Sequence, residues 1–144
     1  MEESLKTAIE QALNLEPVDA DTYSPLVLAY IGDAVYEVLI RTRVVNHGSM
    51  QVCKMHKKSA SLVRAEAQAN IVKAILDELT EEELAVYKRG RNAKSATIAK
   101  HATMTDYRMA TGFEALIGYL YLKNRCERLL MLLHDGLLKI GELT

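Results

Sequence analysis

The sequence predicts an all-α fold of about six or seven helices, and three observations carry that prediction. Apolar residues recur at helical spacing along most of the 144-residue chain. No segment shows sustained strand alternation. The only two prolines, Pro17 and Pro25, fall in the first fifth of the sequence, which leaves the rest free to be helical.

The elements follow in order. A first helix is expected over much of Glu2 to Leu13, where Leu5, Ala8, Ile9, Ala12 and Leu13 form one apolar stripe. A loop runs through "LEPVDADTY". Ser24 then makes an N-cap with Pro25 at the first helical position, so a second helix should reach about Val45 before "NHG" stops it. Its apolar residues occupy nearly every side, which puts it in the middle of the fold. Ser49 opens a short third helix, and "SASLVRAEAQANIVKAILDEL" continues as an alanine-rich helix ending near Leu79. Thr80 and Glu83 form a capping box for the next helix, which ends at "KRG". "RNAKSATIAKHATM" lacks periodicity and reads as a long polar loop, a kind of segment that often carries function. Thr105 or Asp106 caps a helix through "YRMATGFEALIGYLYLKN", and the last helix runs from about Asn124 toward Ile140.

Composition narrows the class. A chain that is 49% hydrophobic and 26% charged is an ordinary globular one, expected to form a single domain over residues 1–144. Cys53 and Cys126 give neither a disulfide framework nor paired metal-ligand spacing, and read as reduced, buried thiols. The N-terminus is acidic and amphipathic where a secretory signal would be basic and apolar, and no apolar run reaches membrane-spanning length without a charge. A cytoplasmic protein with no membrane partner is expected. The net charge of −1 hides a segregation: Arg41 to Arg64 carries six Lys or Arg and no acid, and Lys88 to Arg108 carries six more against the single Asp106. Together the two segments could form one face for a polyanion, or they could be solvated surface.

Two acids stand where acids are costly. In "LVLAYIGDAVYEVLI", Gly32 and Asp33 interrupt an otherwise apolar helix, and in "FEALIGYLYL" Glu114 is the only charge, with Gly118 one turn later. Ala110, Glu114 and Gly118 share one helix face; Ala29, Asp33 and Glu37 share another, with Gly32 beside it. Small residues let helix backbones approach, so the two stripes mark a crossing that would bring Asp33 and Glu114 together. Paired carboxylates repel and raise a pKa unless a multivalent cation lies between them. Hard oxygen donors without His or Cys suit Mg²⁺, or Mn²⁺ as a substitute, and point to phosphodiester hydrolysis by cation-activated water. The bland alternative is that each acid reaches solvent or pairs with a basic residue.

At these residues the chain closely resembles the ribonuclease III superfamily, and specifically the Mini-III ribonucleases. "YIGDAVYE" is similar to the signature helix of that superfamily, and "FEALIGYLYL" to its second acidic helix; the likeness extends through "YKRGRNAKS" to the C-terminal helix. The resemblance implies an all-α, ribonuclease III-like endonuclease domain without a double-stranded-RNA-binding domain. It implies a homodimer that cuts double-stranded RNA with Mg²⁺, in the maturation of precursor large-subunit (23S) ribosomal RNA, each subunit cutting one strand. Asp33 and Glu114 match the essential metal-binding carboxylates. Larger ribonuclease III enzymes carry further acids where this chain has Leu26, Ala29 and Thr111, so fewer protein ligands would hold the cation and the number of ions stays open. Glu37, one turn after Asp33, fits an outer-shell contact or a salt bridge.

With that target, the basic segments gain a reading. A-form RNA is recognised through phosphates and groove shape, which calls for cations rather than stacking aromatics. Lys88, Arg89, Arg91, Asn92 and Lys94 are candidates, joined by Lys54, Lys57 and Lys58. His134–Asp135 lacks the further His and the later Asp of an HD-type phosphohydrolase, and His47, His56 and His101 need no catalytic role. Tyr119 and Tyr121 read as core or dimer-interface residues, and Met104 and Met109 as packing. The competing class is a ribonuclease III-like module that binds RNA or a ribosomal particle without catalysis; keeping both Asp33 and Glu114 argues against it.

Overall fold

The structure is a computed structural model that describes residues 4–94 and 103–143. It contains α1 (Leu5–Ala12), α2 (Pro25–Asn46), α3 (Val52–Val63), α4 (Ala65–Ile75), α5 (Glu81–Asn92), α6 (Met104–Leu122) and α7 (Cys126–Lys139). One-turn 3-10 helices occur at Ala20–Thr22 and Leu76–Glu78, and no strand occurs among the described residues. The all-α expectation holds. Residues 95–102 of the expected polar loop, including His101, lie outside the described residues.

The centre is α6, which packs against α2, α4, α5 and α7. Its sequence explains the position: from Met109 to Leu120 only Glu114 escapes full burial. Apolar on all sides, such a helix is stable only when surrounded. Glycines set how closely it is approached. A Cβ on Gly32 of α2 would lie 1.7 Å from the Glu114 carbonyl oxygen, and one on Gly118 would lie 2.0 Å from that of Leu28. The α2 and α6 backbones therefore touch at these two points. Gly32→Ala is expected to cost about 3 kcal/mol by forcing the helices apart, outweighing a helix-propensity gain of about 1 kcal/mol. Urea unfolding measures it, and a variant as stable as the parent would contradict the contact.

Several helix ends follow their predicted signals. The Ser24 hydroxyl accepts from Val27 N–H, and Thr80 with Glu83 completes both halves of the capping box. Glu83 is buried and also takes a two-point contact from Arg128, at 2.9 and 2.8 Å, while Arg128 donates to the Glu78 carbonyl at 2.7 Å. The Arg128 guanidinium holds the Glu83 carboxyl below its usual range. This anchors α7 to the start of α5.

Other expectations need correction. The alanine-rich segment does not run unbroken from Ser59 to Leu79: Arg64 is extended (φ −64°, ψ 156°) and separates α3 from α4. No Gly or Pro marks the break. Buried Tyr36 of α2 donates to the Leu62 carbonyl at 2.6 Å, a tertiary contact, and the buried side chain of Gln68, at the start of α4, takes the Val63 carbonyl at 2.7 Å. Helix α5 continues past Gly90, so Arg91 and Asn92 are helical rather than loop. Thr103 caps α6, accepting from Asp106 N–H at 3.0 Å, ahead of the expected Thr105 or Asp106. The α1 stripe buries no residue fully, Cys53 is exposed and Cys126 half-buried, and Met104 is exposed whereas Met109 packs inside.

Helix α2 is central on one side only. Leu28, Gly32, Tyr36 and Ile40 are buried, while Leu26, Val27, Tyr30 and Val38 are exposed, Tyr30 to 82%. Leu26, Val27 and Tyr30 make an exposed apolar strip along the first turns of α2.

Candidate active site at a helix crossing

The α2–α6 contact brings two of the predicted residues together. Asp33 follows the glycine that touches the Glu114 carbonyl, and its carboxyl lies within hydrogen-bonding reach of the Glu114 side chain. Asp33 is exposed and Glu114 half-buried, so the pair opens to solvent on the Asp33 side. Burial, reinforced by the Asp33 charge, pushes the Glu114 carboxyl up to about 8. The direct backbone contact on α2 runs through Leu28 and Gly32, and Asp33 stands beside it rather than within it.

Buried groups from three helices brace the pair. Tyr36 is fully buried on α2, and its ring meets Phe113 edge-on at 5.6 Å. Burial raises the pKa of its hydroxyl, with Glu114 and Glu37 adding to the effect. Gln68, near the start of α4, donates to Glu114 Oε2 at 3.4 Å. Sequence reasoning missed Gln68. The signal was present: with Ile71, Val72 and Ile75 it shares the buried stripe of α4, so a glutamine there is as misplaced as Asp33.

The remaining predicted residues divide. Glu37 is engaged by Arg41 at 2.9 Å, a salt bridge rather than a contact to the carboxylate pair. Thr111 turns its hydroxyl to the Tyr107 carbonyl at 3.0 Å, and Ala29 is buried, so neither adds a donor to the site. Lys88 and Arg89 are exposed on the last turns of α5, which press Gly90 against Gly112 and Ala115 of α6. That contact carries the basic end of α5 to the stretch of α6 that bears Glu114. Arg91 lies 5.7 Å over the Tyr87 ring and donates to Asn92 at 3.1 Å; Lys94 is exposed just beyond the helix. Lys54, Lys57 and Lys58 are exposed on α3, about 8–14 Å along its axis from the Val63 end that meets Gln68. His134 contacts Asp135 at 3.1 Å on the surface of α7, away from the crossing. No group of three or more His, Cys, Asp or Glu side chains able to hold a metal occurs among the described residues. Nor, among those residues, is any helix long and apolar enough to cross a membrane.

An all-helical fold that sets a carboxylate pair at a glycine-mediated crossing defines a class, and the comparisons identify it. Residues 26–125 match the model of the Ribonuclease III domain. The chain is 55% identical over 112 residues to the Mini-ribonuclease 3 of Clostridium tetani, covering 77% of this chain and 74% of that one. It is 48% identical to that of a Thermoanaerobacter species, covering 90% and 91% of the two chains. A crystal structure of a Fusobacterium nucleatum protein, 32% identical, superposes with a TM-score of 0.75 over 81% of this chain and 95% of that one. The chain belongs to the ribonuclease III family, in its Mini-ribonuclease 3 branch.

Proposed function

We propose that this member of the ribonuclease III family of RNA-processing nucleases hydrolyses double-stranded RNA with Mg²⁺, using Asp33 and Glu114 to hold the cation. One observation carries the reading: two carboxyl groups are held together at a rigid helix crossing, where Glu114 is pushed up to about 8. A divalent cation relieves that repulsion, and an all-oxygen donor set with few protein ligands suits Mg²⁺, which keeps several waters and takes substrate phosphate. Mn²⁺ fits the same donors. When bound, the cation supplies charge neutralisation at the phosphate and lowers the pKa of a water nucleophile.

This chain's own residues do the rest. Gly32 and Gly118 fix the distance between the helices, so both carboxylates sit on rigid backbone rather than on loops. Exposed Asp33 faces the incoming strand, and half-buried Glu114 is held by Gln68. The basic end of α5 supplies phosphate contacts beside the site, and the exposed lysines of α3 are further candidates for them. One chain offers one carboxylate pair, whereas a duplex has two strands to cut. A second copy packed on the exposed apolar strip of α2 supplies the other pair, which is the reason to read the protein as a homodimer. Precursor large-subunit ribosomal RNA is the substrate we favour, by likeness to the Mini-III ribonucleases, and the cytoplasm the location.

Incubation with defined duplex RNA, single-stranded RNA and duplex DNA tests the reading. Mg²⁺-dependent cutting of duplex RNA alone is expected; preference for single strands would overturn it. For the α5 contacts, neutralising Arg89 and Arg91 together should weaken duplex binding and flatten the slope of log K against log salt by about two. An unchanged slope would remove this end of α5 from the RNA face.

A further inference from the structure

The amide of Gln68 is oriented by its surroundings. It is 2% exposed, and the atom 2.7 Å from the Val63 carbonyl oxygen must be the nitrogen, because a carbonyl only accepts. That nitrogen also reaches Glu114 Oε2 at 3.4 Å, which leaves Oε1 buried with no hydrogen-bond partner among the described residues. A buried acceptor left unpaired is a cost that an apolar side chain of the same length would not carry. Packing alone therefore does not explain a glutamine here.

We propose that Gln68 is a positioning residue for the cation site: anchored on the Val63 carbonyl at the end of α3, its amide nitrogen holds one oxygen of Glu114 and leaves the other toward Asp33. The anchor is backbone, so the clamp does not move with surface side chains. Holding the carboxylate in one orientation removes a rotamer search from each binding event, and partners of this kind tune metal affinity. The inference rests on the reading of Asp33 and Glu114 as cation ligands.

The test is calorimetric titration of the full chain with Mg²⁺ alone, comparing the parent, Gln68→Met, Gln68→Asn and Glu114→Gln, with thermal unfolding alongside. Gln68→Met removes the donor and keeps the length; Gln68→Asn keeps the amide and withdraws it by one methylene. Each is expected to weaken Mg²⁺ binding roughly 10-fold. On duplex RNA at one fixed, subsaturating Mg²⁺ concentration, kcat should fall by a similar factor while KM stays within about twofold. Mg²⁺ affinity within twofold of the parent in a folded variant would overturn the assignment, as would loss of the fold in both, which marks a structural amide. If Glu114→Gln abolishes Mg²⁺ binding and the Gln68 variants do not weaken it, only the role of Gln68 falls. If Glu114→Gln leaves Mg²⁺ binding intact, the cation site itself falls.

Discussion

Asp33→Asn should reduce duplex RNA cleavage on the order of 1,000-fold, equivalent to about 4 kcal/mol of lost transition-state stabilisation, without loss of fold. The amide matches the carboxylate in shape, and Asp33 is exposed, so little packing changes. What disappears is one of the two carboxylates proposed to hold the cation. Duplex binding should change far less, because the phosphate contacts proposed for α5 and α3 lie outside the pair. Cleavage of an end-labelled duplex, alongside a binding assay on the same RNA, separates the two effects. Cutting at the parental rate would show that Asp33 is not part of the site.

Glu114→Gln should stabilise the metal-free protein on the order of 4 kcal/mol at pH 8 and above, and hardly at all near pH 4. The sign follows from the proton balance. Glu114 holds its proton up to about pH 8 in the folded chain, whereas the unfolded chain releases it near its ordinary value of 4.5. Between those limits folding takes up a proton, so the contribution of this group to stability is present at low pH and is lost as pH rises to 8. Glutamine never ionises and escapes that loss. Denaturant unfolding in chelator across pH 4–9 measures the difference between the two proteins. A difference that does not grow with pH would mean that Glu114 is not held in a charged, half-buried pair.

The parts of the fold that were legible in sequence were those carried by local chemistry. Ser24–Pro25 and the Thr80–Glu83 box state their helix starts outright, whereas all-round apolarity was read as placing α2 in the middle and the helix packed on by α2, α4, α5 and α7 is α6. The crossing of α2 and α6 was readable because Ala110, Glu114 and Gly118 share one face of α6 and Gly32 adjoins the Ala29–Asp33–Glu37 face of α2, small residues that let the backbones approach. The break at Arg64 was not readable. No Gly or Pro flanks it, and of the two carbonyls taken at the break one is claimed by Tyr36 of α2 and the other by the side chain of Gln68 in the following helix. The exposed strip on α2 was hidden for a related reason: apolar residues on every side of a helix do not say whether this chain or a second copy covers them.

The site shows the same division. Asp33 and Glu114 announced themselves by being charged in apolar surroundings, and Gly32 by being a glycine in the middle of a helix. The second meaning of Gln68 depended on three-dimensional neighbours, since neither Val63 nor Glu114 lies within its own helix. Of the two roles open to Glu37, an outer-shell contact or a salt bridge, Arg41 one turn further on takes up the second. The basic residues at the end of α5 gained a location from Gly90, whose contact with Gly112 and Ala115 fixes which part of α6 they accompany.

The central claim is that Asp33 and Glu114 are held together for a divalent cation, and the thermal unfolding midpoint at pH 8 with increasing Mg²⁺ tests it most directly. Mg²⁺ should raise the midpoint of the parent protein in a saturable way, as a ligand that binds only the folded chain must. It should leave Asp33→Asn and Glu114→Gln nearly unmoved. An equal rise in all three proteins, or none in the parent, would contradict the account.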